Sequence, residues 1–274
     1  MLVRQRQEVQ ALSRGLTPTS APASRILDWE GCFNVRDLGG LSTSSGRPVR
    51  HRALVRSDIL HRLTDAGRAA LVAHGVRSII DLRFTDEVAT DWHMYPFRAP
   101  ADGVSYRNIP FDLGRDAASN ARQRDAYHAA SSRAELNRLD LDGGRAGIVA
   151  AVAAIADAPP GGVLVHCHAG KDRTGAVVAV VLSMLGVSDD DIADDYALTA
   201  LTLEPLIIEW LDDSSQDPVE REQLRDLAMP VREAMLDTLE YLDERYGSAE
   251  TYLRDGGLTH DEVDRLRLRL LEAT

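Results

Sequence analysis

Cysteine is scarce in this chain of 274 residues: there are two, Cys32 and Cys167. Far apart and without CxxC spacing, they do not form a disulfide framework. A reducing compartment is their simplest setting. Long apolar runs are missing as well. The longest good candidate, Ala176 to Leu185, is too short to span a bilayer, so stable membrane insertion is not expected. The opening stretch, MLVRQRQEVQALSRG, lacks the apolar core of a signal peptide. A cytoplasmic location is the expectation, and export by a route without a recognisable signal stays open. Aromatics are few, and positive charge is in the minority, with 31 Lys+Arg against 43 Asp+Glu and a net charge of −12. Such a surface repels a phosphate backbone, which argues against nucleic acid as a partner. Any small anionic ligand then needs a local positive pocket.

What is present suits one α/β domain with additions. Residues 1–25 are polar and end in TPTSAPAS, a flexible lead-in; residues 26–274 are expected to form a single domain with a helical C-terminal part. GCFNVRDLGG reads as irregular chain with a short strand, followed by a strand near Val49 to Arg56. LTDAGRAALVAHG carries a helix signature, with Thr64 as N-cap and Gly75 as stop. VRSIIDLR and VSYRNIPF read as strands, the second ending in a loop at Asp112 and Gly114. Helical stretches follow, the best of them GRAGIVAAVAAIAD, stopped by Pro159 and Pro160. GVLVHC is a buried strand, HAGKDR a loop and TGAVVAVVLSMLG a helix. Beyond Gly186 the chain is helical: Ser188 caps one helix, Pro205 bends or restarts the chain, and Thr259 with Glu262 forms a capping-box pattern. Strands alternating with helices predict a central, mainly parallel sheet flanked by helices on both faces. The helical tail packs on it or covers the site.

The segment VLVHCHAGKDRTG concentrates the chemistry. Cys167 and Arg173 are separated by five residues, between a buried strand and an apolar helix. A strand-to-helix loop wraps its backbone N–H groups around one point, and the helix N-terminus adds partial positive charge there. That point suits a phosphate dianion. Gly170 permits close backbone approach or a positive φ. The Arg173 fork reaches two phosphate oxygens, and Lys171 adds a second cation. The same positive surroundings favour the thiolate of Cys167, poised for in-line attack on phosphorus. Thr174 offers a hydroxyl to the sulfur. The binding residues are thus His168, Ala169, Gly170, Lys171, Asp172, Arg173 and Thr174. Taken alone, Cys167 also reads as a core cysteine at a strand end; the coincidence of glycine, arginine and strand–loop–helix context weighs against that. His166, Cys167 and His168 point to alternate faces of a strand and do not converge on a metal ion.

HCHAGKDRTG resembles the Cys-x5-Arg signature of the protein tyrosine phosphatase superfamily. More narrowly, the chain is similar to a bacterial and fungal tyrosine and lipid phosphatase family through FNVRDLGG, VRSDILHRLTDAG, IIDLRFTDEV, NIPFDL, GVSDDDIADDYALT and YGSAETYLRDGGLTHDEVDRLR. The resemblance implies a phosphatase fold, a phosphocysteine intermediate, no cofactor, and substrates from phosphotyrosine to phosphoinositides. It assigns the nucleophile to Cys167 and the phosphate-binding arginine to Arg173. A catalytically weak phospho-binding module of the same fold is the alternative; a sulfur transferase or arsenate reductase fits the Arg-Thr-Gly ending poorly.

The leaving oxygen needs a proton, and three aspartates compete to supply it. Asp112, in the loop after a strand, ranks first, and Asp172, within the phosphate loop, second. Asp81 ranks third, its better reading being a strand-end carboxylate that pins backbone or an arginine. Arg36, Asp37 and Arg83 either brace the site or form surface pairs and turns. His166 is expected to orient the loop, and the run at 189–191 to face solvent at a helix start.

Overall fold

The computed structural model describes residues 25–94, 103–214 and 217–273. The flexible lead-in expected for residues 1–25 lies outside the described residues except for Arg25. That residue is buried, and its guanidinium pairs with Asp195 at 3.1 Å, so Arg25 is anchored to the domain.

Among the described residues, five strands form one sheet in the order β1-β2-β5-β3-β4: β1 (Arg36–Asp37), β2 (Leu54–Ser57), β3 (Val76–Asp81), β4 (Ser105–Asn108) and β5 (Gly162–His166). Only β1 runs antiparallel to its neighbour. The predicted mainly parallel sheet is present, though β2 starts at Leu54 rather than near Val49. Val49 instead makes an isolated bridge with Leu271. Side chains alternate across the central strands. Leu54, Ile80, Val163 and Val165 join one core cluster, whereas Val55, Ile79 and Leu164 join the other. Both faces are therefore covered, as parallel strands require.

The smaller core is closed by α1 (Asp65–His74), whose Leu71 is fully buried and contributes about 1.5–3 kcal/mol. Its predicted ends are present: Thr64 Oγ1 accepts from Gly67 N, and Gly75 adopts the left-handed conformation. A short helix that the pattern does not announce, α2 (Thr85–Met94), follows β3. Next come α3 (Ala117–Ala129) and α4 (Arg133–Ala156). α4 starts well before the predicted GRAGIV stretch and runs straight through Gly143 and Gly144. Close packing explains this: a Cβ at Gly144 would lie 2.2 Å from the Phe111 ring, so the bare backbone makes room for that side chain.

α5 (Asp172–Met184) is apolar almost all round and buried. Its first residues are Asp172 and Arg173, so the loop expected over HAGKDR ends two residues earlier, at Lys171. α6 (Asp189–Ser214) continues through Pro205, so the chain does not restart there. α7 (Pro218–Ala228), α8 (Arg232–Tyr246), α9 (Ala249–Asp255) and α10 (His260–Leu270) complete the larger face. The Thr259–Glu262 capping box is formed. Among the described residues no helix is long and apolar enough to cross a membrane.

Candidate active site

The C-terminal ends of β2, β3, β4 and β5 share one edge of the sheet, and Cys167 directly follows the central strand β5. It is buried at 2% exposure. His166 Nδ1 lies 2.9 Å from the Cys167 carbonyl oxygen, in line with an orienting role. Four residues then carry the chain from Cys167 to the start of α5, closing a tight loop against the end of β2. Ile59 N donates to His168 O at 2.9 Å. Gly170 has φ +67°, and a Cβ there would sit 2.3 Å from Ser57 O, so no side chain fits.

The back of the loop is held by side chains. Asn34 Nδ2 donates to Ala169 O at 3.0 Å and Gly170 O at 3.1 Å, and Arg56 Nη2 donates to Gly170 O at 2.8 Å. Arg173, in the first turn of α5, makes a two-pronged pair with Glu87 of α2; its Nη1 meets Oε2, and its Nη2 donates to Oε1 at 3.0 Å. Glu87 is itself held by Phe84 N at 2.7 Å, and the Arg173 guanidinium lies 4.6 Å from the Phe84 ring centre. Burial alone would weaken the basicity of Arg173. The charges of Cys167 and Glu87 outweigh it and raise the guanidinium above its ordinary value.

Lys171 Nζ donates to Ala228 O at the end of α7, at 2.8 Å, and lies 3.6 Å from Asp172. Burial lowers its ammonium below the ordinary value, against the pull of Asp172. Asp172 is half-buried and accepts from Arg133 Nη1 at 2.7 Å. Burial acts to raise its carboxyl, but Lys171, Arg133 and Arg173 prevail and hold it below the usual carboxylate range. Beside the loop opens a groove of about 560 Å³. Apolar side chains wall it, including Ile59, Leu136, Leu203, Ile207, Leu224 and Leu227, with Arg62, Arg133 and Lys171 among the cations. Helices α6 and α7 therefore flank the loop, as expected of the helical tail.

A family model described as "Tyrosine phosphatase family" matches residues 27–272. The chain belongs to the tyrosine phosphatase family. It is 32% identical to the Triple specificity protein phosphatase PtpB of Mycobacterium tuberculosis, over 90% of this chain and 99% of that protein. A tyrosine-protein phosphatase of Nostoc commune is 31% identical over 81% of this chain and 75% of its own length. A putative tyrosine-protein phosphatase of Cupriavidus necator is 28% identical over 98% of both chains.

Within this family site the three candidate acids separate clearly. Asp172 stands in the first turn of α5, bound to Lys171 and Arg133. Asp112 follows β4, the edge strand, which is two strand spacings or about 10 Å from β5. Its carboxylate accepts from Asn120 Nδ2 at 3.4 Å. Asp81 is fully buried and grips Arg83 through Nε and Nη2, with Tyr106 Oη donating at 2.9 Å. It pins an arginine, as anticipated, and Arg83 is thereby tied to the strand end. Thr174 Oγ1 is buried with no hydrogen-bond partner among the described residues, so the expected bond to sulfur is not made.

Arg36 is neither a surface pair nor a turn residue: it is 1% exposed and bonded to Asp195. Asp37 does the turn work, accepting from Gly39 N and Arg52 N. Asp189 and Asp190 are exposed at the start of α6, in agreement with the solvated helix end. Glu87, Asn34, Arg56, Arg133 and Asp195 were not singled out from the sequence. Glu87, Asn34, Arg56 and Asp195 lie in segments that carry the family resemblance, which was the available signal. Nor was Asp140 of α4, buried and bonded to Tyr127 Oη. Burial, then the charge of Asp172, pushes its carboxyl up to about 7.

Proposed function

We propose that this chain hydrolyses phosphotyrosine, and phosphoinositide monoesters as well, through a phosphocysteine intermediate. One observation carries the reading: Cys167 lies at the base of a loop whose carbonyls at 169 and 170 are drawn backward, with Arg173 held in position by Glu87. In the first step the Cys167 thiolate attacks phosphorus, the S–P bond forms and the P–O bond to the leaving group breaks. Arg173 and the loop N–H groups bear the charge on the equatorial oxygens.

Asp172 supplies the proton to the leaving oxygen. It is ionised in the free site, and the arriving phosphate, a like charge, raises its proton affinity. In the second step water attacks phosphorus, Asp172 takes its proton, and phosphate leaves with the sulfur restored as thiolate. The position of Asp172 at the first residue of α5, directly after the loop, favours it over Asp112, which ranked first on sequence alone. No cofactor enters this scheme. Residues 26–274 act as one catalytic unit, a reading supported by the bridge between Val49 and Leu271.

The groove supports the substrate range. Its apolar walls suit an aryl ring or the apolar part of a lipid, and Lys171, Arg62 and Arg133 suit additional phosphates. The name of the mycobacterial relative, a triple specificity phosphatase, supports a range beyond one substrate class. A lack of nucleic-acid partners accompanies the proposal on charge grounds, and a cytoplasmic location on the two cysteines without disulfide spacing. The test is hydrolysis of p-nitrophenyl phosphate by wild type and Cys167→Ser, followed by specificity constants for phosphotyrosine, phosphoserine and phosphoinositide substrates. Loss of turnover in Cys167→Ser is expected. Turnover that survives sinks the mechanism, and a wild type that binds phosphate without turnover leaves the binding-module alternative. Cleavage of phosphotyrosine with no activity on any phosphoinositide removes the lipid half of the proposal.

A further inference from the structure

Behind the phosphate loop, three guanidinium groups share one buried carboxylate. Asp195 of α6 accepts from Arg36 Nε at 3.1 Å and Arg56 Nη1 at 2.8 Å, and pairs with Arg25 at 3.1 Å. Arg36 Nη2 also donates to the Asp195 carbonyl at 2.7 Å and to Thr199 Oγ1 at 3.0 Å. All four charged residues are less than a tenth exposed. Asn34 completes the network. Its Oδ1 accepts from Arg36 Nη1 at 2.6 Å and lies 3.1 Å from Thr202 Oγ1, whose single hydrogen is shared between it and Thr199 O, also at 3.1 Å. With the Arg36 donor on its oxygen, the amide has one orientation, and Nδ2 must face the carbonyls of Ala169 and Gly170.

We propose that Asn34 and Arg56, fixed by Arg36, Asp195 and Thr202, are positioning residues that turn the loop peptides so that their N–H groups face the bound phosphate. The reason is the planarity of the peptide unit. In a trans peptide the C=O and the next N–H point opposite ways. Drawing Ala169 O and Gly170 O backward therefore turns the N–H groups of Gly170 and Lys171 forward. The cluster also leaves uncompensated positive charge behind the loop, because one carboxylate cannot neutralise three guanidiniums. The charge excess supplies the local positive field that an acidic protein needs to hold an anion. It also links α6, which walls the groove, to the loop itself.

The inference rests on the phosphatase reading, but its test does not require turnover. Inorganic phosphate binding is measured by calorimetry, and iodoacetamide alkylation of Cys167 is followed as a function of pH. Both are run on wild type, Asn34→Ala and Thr202→Val, with folding checked by circular dichroism. Asn34→Ala is expected to weaken phosphate binding by about tenfold and to slow iodoacetamide alkylation of Cys167 by a similar factor at neutral pH, as lost N–H donors stop stabilising negative charge at the loop. Thr202→Val, which removes a shared donor to Asn34, is expected to shift both readouts in the same direction by less. It keeps the test decisive should Asn34→Ala fail to fold. Unchanged phosphate affinity and alkylation in a folded variant would overturn the proposal, even if its melting temperature falls, because the cluster would then be structural only. A wild type that binds phosphate but does not turn over p-nitrophenyl phosphate would defeat the phosphatase reading and leave this one standing.

Discussion

Replacing Asp172 by Asn separates proton transfer from structure. The carboxylate accepts from Arg133 at 2.7 Å and lies 3.6 Å from Lys171. Asn retains an oxygen for Arg133 and loses the charge. Asp172 is half-exposed, so the lost ion pairs cost about 1 kcal/mol of stability at most. The chemical loss is larger. General acid catalysis contributes roughly 10²–10⁴-fold, or about 2.7–5.4 kcal/mol of barrier. That loss depends on the leaving group, whereas a structural loss does not. p-Nitrophenolate leaves readily without a proton; an alkoxide does not. The assay is kcat/KM for p-nitrophenyl phosphate and for an alkyl phosphate, in wild type, Asp172→Asn and Asp112→Asn. Asp172→Asn is expected to lose far more on the alkyl ester, with Asp112→Asn nearly wild type on both. The opposite pattern would return the role to Asp112. An equal loss on both substrates in Asp172→Asn would mean that it orients the loop and transfers no proton.

Three further outcomes follow from the geometry. Glu87→Gln leaves Arg173 without its ion-pair partner, and kcat/KM for p-nitrophenyl phosphate should drop by about 10–100-fold, the usual cost of a misplaced contact; wild-type kinetics would show that Arg173 needs no such guide. Gly170→Ala forces a side chain into a left-handed residue and to within 2.3 Å of Ser57 O, so urea unfolding should show at least about 2 kcal/mol of destabilisation with activity lost. An unaltered unfolding midpoint would contradict the close approach. Asp140 titrates at about 7 in the folded chain, against about 3.9 when unfolded. The fold thus holds a proton the unfolded chain has released, and stability falls as pH rises through that window. Asp140→Asn, which keeps an acceptor for Tyr127, should melt higher than wild type above about pH 7, with the gap closing toward about pH 4. A gap independent of pH would refute the assignment.

Local signals were legible wherever short-range chemistry decides the outcome. Thr64, Gly75, Ser188 and the Thr259–Glu262 box mark helix ends through bonds made within a few residues, and the sequence shows them. The β-branched run before Cys167 marks the buried central strand in the same way. Long-range contacts were not legible. α4 crosses Gly143 and Gly144 because Gln123 and Phe111, about twenty and more than thirty positions away, fill the space that side chains would occupy. Arg36 stays open in the sequence between bracing the site and a surface pair because its partner, Asp195, is remote in sequence. α2 was missed because its apolar spacing is weak, and Glu87 with it, since a carboxylate in a polar segment signals nothing until Arg173 is brought beside it. The proposal puts Asp172 ahead of Asp112 for a related reason: IPFDL reads as a loop after a strand, and that this strand lies at the sheet edge is a fact of topology.

The central claim is that Cys167 carries the phosphoryl group between the two steps. Rapid quenching after mixing the enzyme with a phosphate-labelled phosphotyrosine peptide tests it most directly. The account predicts a transient label, at most one per chain, on the peptide that contains Cys167, absent in Cys167→Ser and longer-lived in Asp172→Asn. Turnover with no labelled enzyme at any time, or label on a residue other than Cys167, would contradict it.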